Sequence, residues 1–216
     1  MAETPPAKTV ALEDRKQSGG KLYAPSSARN AGPIRDILAP RLIEGARVVE
    51  IGCGTGEHAE AVCMARPDIS WLPSDLDDAA RASASARARE IAGLQDAVEI
   101  DASTDGWETG PGTADALVCC NVIHISPWVV AEGLAKGAET LVARGGLVFL
   151  YGPFLEGAAT APSNLAFDVS LKQRNPQWGV RSLDAVTGLF ERHSFALEER
   201  IEMPSNNLSL VFRRPE

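Results

Sequence analysis

The run Glu50-Ile51-Gly52-Cys53-Gly54-Thr55-Gly56 sets three glycines at alternate positions directly behind a carboxylate. Each glycine removes a Cβ and permits positive φ, so backbone can pass close to a ligand while free N–H groups line the turn. Such a turn suits a nucleotide. A dinucleotide site would read G-x-G-x-x-G, with its pyrophosphate on the N-terminus of the next helix. Here the spacing at Gly52, Gly54 and Gly56 is one residue shorter, and Glu50 precedes it. Asp75 follows at about 20 residues, where a carboxylate on a strand end accepts both hydroxyls of a ribose. Asp77 and Asp78 compete for that role, but helix capping and first-turn charge explain them as simply, so the ribose is assigned to Asp75. A glycine run alone also closes plain loops; its pairing with Asp75 raises it above that reading.

A second group follows the apolar run Ala116 to Cys120 and reads Asn121-Val122-Ile123-His124-Ile125-Ser126-Pro127-Trp128. Ligands of open α/β sheets sit outside the carboxyl ends of the strands, which makes Asn121 and His124 candidates for chemistry. A lone histidine is more often structural. At its ordinary pKa of about 6.5, however, His124 would serve as a base at neutral pH. His58 and His193 have no such position. Tyr151, at the end of the following apolar run, is the third candidate catalytic residue.

These groups require elements that hold them. Pro33 with Ile34, Ile37, Leu38, Leu42 and Ile43 has helical spacing and predicts an N-terminal helix. Arg47 to Ile51 is a short β-branched strand, and Glu57 to Arg66 a helix. The alternation continues with a strand at 69–72 running into Pro73-Ser74-Asp75, a helix at 77–91, and a third strand at 98–101. A buried strand at 116–120, a helix at 128–142 and a strand at 146–151 complete the repeat. Such units demand right-handed crossovers and a doubly wound α/β sheet. Helices at 164–172 and 182–191 then lead to two closing strands, 195–202 and 208–212, joined by Met203 to Asn207 as an antiparallel hairpin. Residues 1–20 lack periodicity and read as a flexible arm, leaving 21–216 as a single domain.

The acid and short glycine spacing resemble the first motif of class I S-adenosylmethionine-dependent methyltransferases. That resemblance implies a Rossmann-like seven-stranded sheet, with S-adenosylmethionine as the cofactor. It gives Glu50 the cofactor's cationic amino acid end and places Asp101, with Ala102, beside the adenine amine. A turn carboxylate capping local N–H groups is an equally good account of Asp101. Over most of its length the chain also resembles a small methyltransferase-like family of unknown function found in bacteria and animals. The matching residues are Ser27-Ala28-Arg29-Asn30 with Pro33-Ile34, Glu50 to Ala59, Trp71 to Asp75, and the N-x-x-H-I-S-P-W run from Asn121 to Trp128. They continue through Tyr151 to Phe154, Asn164 to Asp168, Arg174-Asn175-Pro176, Trp178-Gly179, Met203-Pro204 and Asn206-Asn207. Cys53 departs from it, since Ser is usual there; both are small.

The resemblance implies cofactor binding but names no methyl acceptor. Arg29, Asn30 and Asn121 are expected near the cofactor. Asn164, Asp168, Arg174, Trp178, Arg181, Asn206 and Asn207 form a candidate acceptor-binding set, with Arg29, Arg174 or Arg181 pairing to a carboxylate or phosphate. The plainer reading has these residues capping helices and pinning loops. The expected activity is in-line methyl transfer to a small polar or anionic metabolite. A methyltransferase-like fold kept as a binding or interaction module competes with it. An NAD-linked oxidoreductase fares worse on glycine spacing and lacks a Tyr-x-x-x-Lys pair.

A net charge of −8 repels polyanions and argues against a nucleic-acid partner. No apolar run approaches the roughly 20 residues of a membrane span, and Glu3, Glu13 and Asp14 argue against a transit peptide, so a cytoplasmic site is expected. Cys53, Cys63, Cys119 and Cys120 lack paired spacing or nearby histidines, which points to reduced thiols and no metal. Nothing in the chain speaks to an oligomeric state.

Overall fold

The computed structural model describes residues 15–216. Two short strands, β1 (Lys16–Ser18) and β2 (Lys21–Tyr23), pair as an antiparallel hairpin ahead of helix α1 (Pro25–Leu38). Gly19 and Gly20 both take positive φ between them, as a two-residue hairpin turn requires. Residues 16–18 of the stretch read as an arm are thus paired and 19–20 form their turn, and residues 1–14 lie outside the described residues.

The rest alternates: β3 (Arg47–Ile51), α2 (Glu57–Ala65), β4 (Ser70–Ser74), α3 (Asp78–Ala88), β5 (Ala114–Cys120), α4 (Trp128–Leu141) and β6 (Val142–Leu155). Then come α5 (Pro162–Arg174), β7 (Arg181–Ser182), α6 (Leu183–Arg192), β8 (Ala196–Met203) and β9 (Asn207–Arg213). The main sheet has the order β4-β3-β5-β6-β9-β8, with β7 on the far end of β6 making seven strands. Strands β3 to β6 pair in parallel, while β9 runs antiparallel to both β6 and β8. The expected doubly wound sheet with a closing antiparallel hairpin is therefore the fold.

Side chains alternate across the sheet and build two cores. Val49, Ile51, Leu117, Cys119, Val148 and Leu150 pack toward α4 and α6; Val48, Trp71, Ala116, Val118 and Phe149 pack toward α1 and α2. Strand β3 is flanked by β4 on one side and β5 on the other. The chain reverses its direction of winding there, which opens a crevice above the carboxyl ends of these strands.

Three boundaries differ from the sequence reading. The first helix starts at Pro25, not Pro33, so Arg29 and Asn30 lie within it. Pro25 supplies the first-turn proline, and Pro33 sits inside at the cost of one hydrogen bond because Asn30, Ile34 and Leu38 share a buried face. The third predicted strand, 98–101, is reduced to isolated bridges at Leu94 and Val98 along the edge of β4. Pro73 breaks the ladder between the two bridges, since its carbonyl accepts from Val98 N–H at 3.0 Å but it has no N–H to return, and beyond Val98, whose carbonyl accepts Asp75 N–H at 3.2 Å, β4 has already ended at Ser74. Strand β6 runs past Tyr151 to Leu155, carrying Gly152 and Phe154 beyond the end that the apolar run suggested.

Candidate cofactor and acceptor site

The glycine turn is held by strand β4. Gly52 and Cys53 N–H both donate to the Ser74 carbonyl at 2.8 Å, while the Ser74 hydroxyl donates to the Glu50 carbonyl at 2.7 Å. A Cβ on Gly52 would stand 2.2 Å from Val122 Cγ2, so the turn and the segment after β5 approach each other only because Gly52 has none. Gly54 differs. It too has positive φ (55°), but a Cβ there would meet nothing within 4 Å, and this part of the turn is open to an incoming group.

Asp75 lies at the end of β4 and is 5% exposed. Its Oδ2 accepts Gly54 N–H and its Oδ1 accepts Asp77 N–H, both at 2.9 Å. Burial raises its pKa, and these two N–H groups pull it back. Each oxygen keeps a further lone pair for a ribose hydroxyl. Asp77 is the N-cap of α3, its side chain accepting Ala79 N–H at 3.0 Å, which is the capping role weighed against a ribose role.

Glu50 is wholly buried. Trp71 Nε1–H donates to its Oε2 at 3.0 Å, and Oε1 has no partner among the described residues. Burial pushes its pKa to about 7 against the opposing Trp71 hydrogen bond. A cation brought to this carboxylate would supply the missing partner. The sequence reading missed Trp71 in this role; in the parallel register Val48 faces Trp71, so Trp71 shares the face of Glu50 two residues on.

Asp101 is half-buried, and its Oδ1 accepts both the N–H (2.9 Å) and the hydroxyl (2.6 Å) of Ser103. That is the local capping role, and it leaves Oδ2 for any other donor. Ala102 beside it is buried; a Cβ on Gly133 of α4 would stand 1.8 Å from the Ala102 carbonyl, so this loop lies directly on the helix.

Across the crevice, Asn121 takes positive φ (61°) and its N–H donates to the Tyr151 carbonyl at 2.8 Å. Asn121 and His124 converge on Gly152. A Cβ there would stand 2.5 Å from His124 Nε2 and 3.1 Å from Asn121 Oδ1. His124 is 1% exposed, edge-on to the Phe154 ring at 5.1 Å, and its Nδ1 accepts Arg181 N–H at 3.4 Å. The proton of the neutral ring therefore belongs on Nε2, which has no partner among the described residues. Burial, with a smaller contribution from the Arg181 charge, depresses the pKa to about 3. This corrects the expectation of a histidine near 6.5: the ring is neutral at pH 7 and disposed to donate from Nε2. Tyr151 is buried as well. Burial pushes its pKa to about 12, against the pull of Asn207 and Arg29.

The remaining predicted residues spend their polar groups on the chain. Arg181 donates from Nε to the Ile123 carbonyl (2.8 Å) and from Nη2 to the carbonyls of Ser126 (2.6 Å) and Gln177 (2.9 Å). Its guanidinium lies 5.6 Å from the Trp128 ring. Asn164 donates to the carbonyls of Phe154 (3.3 Å) and Asn206 (2.9 Å), and Asn206 returns a bond to the Ser163 hydroxyl (2.8 Å). Asn207 donates to the Pro204 carbonyl at 3.0 Å. Asp168 accepts Val180 N–H (2.9 Å) and pairs with Lys172 (2.6 Å). Trp178 packs with Leu171 and Val180 in a small satellite core. For these residues loop-pinning is the role the contacts account for. Arg29 and Arg174 are exposed, and Asn30 is buried on α1.

The four cysteines are free and buried. Among the described residues, no helix is long and apolar enough to cross a membrane.

Comparison with known proteins places this architecture. Ubiquinone biosynthesis O-methyltransferase of Xanthomonas campestris pv. campestris (strain B100) is 30% identical over 149 residues, 66% of this chain and 58% of the relative. The chain thus spans less than two thirds of the curated relatives it matches. An O-methyltransferase family protein from Burkholderia thailandensis superposes with a TM-score of 0.75 at 17% identity, covering 88% of this chain and 58% of that one. The pyocyanin biosynthetic protein PhzM gives 0.70 at 22%, over 87% and 55%, and SAH-bound CalO1 of calicheamicin biosynthesis gives 0.72 at 17%, over 88% and 54%. The fold is shared with methyltransferases. By a match that runs over residues 21–214, the chain itself belongs to the family described as Protein of unknown function (DUF938).

Proposed function

We propose that this protein is an S-adenosylmethionine-dependent methyltransferase acting on a small polar or anionic metabolite. The observation that carries the reading is the trio at the crevice: the open Gly54 turn, Asp75 bonded to it with lone pairs to spare, and the buried Glu50 Oε1 without a partner. These fit the cofactor's nucleoside and its ammonium group. Similarity to the Xanthomonas O-methyltransferase adds support. When bound, the cofactor supplies an activated methyl group on a sulfonium.

The residues of this chain have the tasks that such a transfer leaves to a protein: alignment and exclusion of water. Asp75, held by the Gly54 N–H, fixes the nucleoside end, and Glu50 the amino acid end. Asn121 and His124 face the acceptor side around Gly152. His124 and Tyr151 are uncharged there at neutral pH, so they orient an acceptor by hydrogen bonding. Arg29 and Arg174, exposed and with no ion pair among the described residues, supply positive charge for an anionic acceptor.

Calorimetric titration with S-adenosylmethionine and with NADH tests the cofactor. Heat with NADH alone would overturn the reading. Incubation of the protein with isotopically labelled S-adenosylmethionine and fractionated metabolite extracts identifies the acceptor; transfer only to a macromolecular fraction would overturn the small-molecule assignment.

A further inference from the structure

Hairpin β1–β2 is too small to be stable by itself, since an isolated two-stranded ribbon is marginal at best in water. Its order comes from what it docks on, and its contacts fall on residues that shape the glycine turn. Leu22 N–H donates to the Ser83 hydroxyl at 2.7 Å, and that hydroxyl donates to the Thr55 carbonyl at 2.8 Å, in the middle of the turn. Ala24 N–H donates to Glu57 Oε2 at 3.1 Å, and the Thr55 hydroxyl donates to the same oxygen at 2.8 Å. Arg87, fully buried, donates to the Leu22 carbonyl at 2.9 Å, pairs with Glu60 at 3.1 Å and lies 4.8 Å from the Tyr23 ring. Just ahead of β1, Arg15 pairs with Asp77 at 3.0 Å.

Asp77 is also the residue whose N–H holds Asp75 Oδ1. The Arg15 charge reaches further, helping to keep both Asp75 and Cys53 from rising still more in pKa. The guanidinium is thus fixed at the N-cap of α3, beside the residue that holds Asp75. Strand β1 is exposed along its whole length, so little apolar burial resists its release.

We propose that hairpin β1–β2 is the outer wall of the cofactor cleft and that Arg15 is a positioning residue for the ribose end, acting through Asp77 on Asp75. The wall docks most firmly when the turn is ordered by a nucleoside, and it swings out with Arg15 for the nucleoside to exchange. Reciprocity follows: whatever orders the turn orders the hairpin, and weakening the hairpin loosens the bound nucleoside. This inference rests on the cofactor reading above.

The test uses the full chain and S-adenosylhomocysteine. Its release is followed from radiolabelled complex chased with unlabelled compound, in the wild type, Arg15→Ala, Arg15→Lys and Ser83→Ala. Arg15→Ala and Ser83→Ala should release it at least about fivefold faster, and Arg15→Lys should stay within about twofold of wild type because the ion pair survives. Saturation should also slow amide hydrogen exchange at Leu22 and Ala24 at least about threefold in the wild type. Release from Arg15→Ala within twofold of wild type, or exchange at Leu22 and Ala24 that ignores the ligand, overturns the wall and leaves the cofactor reading standing. Absence of any binding by the wild type overturns both.

Discussion

Trp71 donates its indole N–H to Glu50 Oε2 at 3.0 Å inside a site from which both side chains exclude water. One carboxylate oxygen is satisfied and the other is not, and the residue sits with a pKa of about 7 in place of 4.5. The folded protein thus holds a proton that the unfolded chain gives up between pH 4.5 and 7. Stability conferred by the neutral carboxyl is complete below pH 4.5 and is lost as the pH rises to about 7, on the order of 3 kcal/mol in all. Glu50→Gln should therefore be more stable than wild type at pH 8.5 and equal to it near pH 4.5, by chemical denaturation at both. It should also bind S-adenosylhomocysteine more weakly. In the wild type that affinity should climb as the pH passes through 7, because the ligand's ammonium needs the carboxylate. A pH-independent affinity would detach Glu50 from the cofactor.

Asp75 has two duties, and they can be separated. Its oxygens accept Gly54 and Asp77 N–H, and the proposed ribose adds two more donors. Asp75→Ala removes all four bonds. It should lower cofactor affinity at least tenfold and also cost the turn about 1–3 kcal/mol for each stranded N–H group that stays buried. Asp75→Asn keeps one acceptor oxygen, and should recover part of the stability and little of the affinity. Calorimetry and thermal unfolding on both variants give the comparison; parallel recovery of the two quantities would make Asp75 a structural residue alone.

His124 and His58 are buried neutral rings, their pKa values depressed by burial to about 3 and about 4. Between those values and 6.5 the unfolded chain binds protons that the folded one refuses. Stability present above pH 6.5 is thus lost as the pH falls, on the order of 2–3 kcal/mol per ring by pH 4.5. His124→Asn should show a smaller drop between pH 7 and 4.5 in urea unfolding, and methyl transfer by the wild type should show no ionisation near 6.5 from this ring. An identical drop in both proteins would place the titration elsewhere.

What the sequence made legible follows from periodicity and from glycine. The alternation of strands and helices requires a doubly wound sheet, and Gly52 to Gly56 behind a β-branched run locates the crevice. Distances along the chain do not reveal which polar group a side chain finds, and the reading thinned there. His124 was placed at a strand end correctly, but its burial against Phe154 and Gly152 depends on β6 running four residues past Tyr151. In the sequence Pro73 marks a strand terminus, whereas its missing N–H lies inside β4 and breaks the neighbouring ladder. Arg15 lay in a stretch without periodicity, and its partner Asp77 is 62 residues away.

Arg181 decides between two accounts of the arginines after β6. An acceptor-binding arginine leaves its guanidinium free, but this one donates to the carbonyls of Ile123, Ser126 and Gln177 and packs beside Trp128. Those carbonyls belong to the segments that flank His124 and Trp178, so the guanidinium ties the loop after β5 to the loop before β7. Burial lowers its pKa, with the charge of Asp168 opposing the shift, and its hydrogen-bond partners are carbonyls in place of a carboxylate. Arg181→Ala should cost about 2–3 kcal/mol of stability from the three lost bonds. Arg181→Lys should recover at most one of them, because an ammonium cannot span three diverging carbonyls. Any loss of methyl transfer should then follow the fraction unfolded and vanish at low temperature, where Arg29→Ala and Arg174→Ala would still raise KM for an anionic acceptor. A stable Arg181→Ala with a raised KM would return Arg181 to the acceptor site.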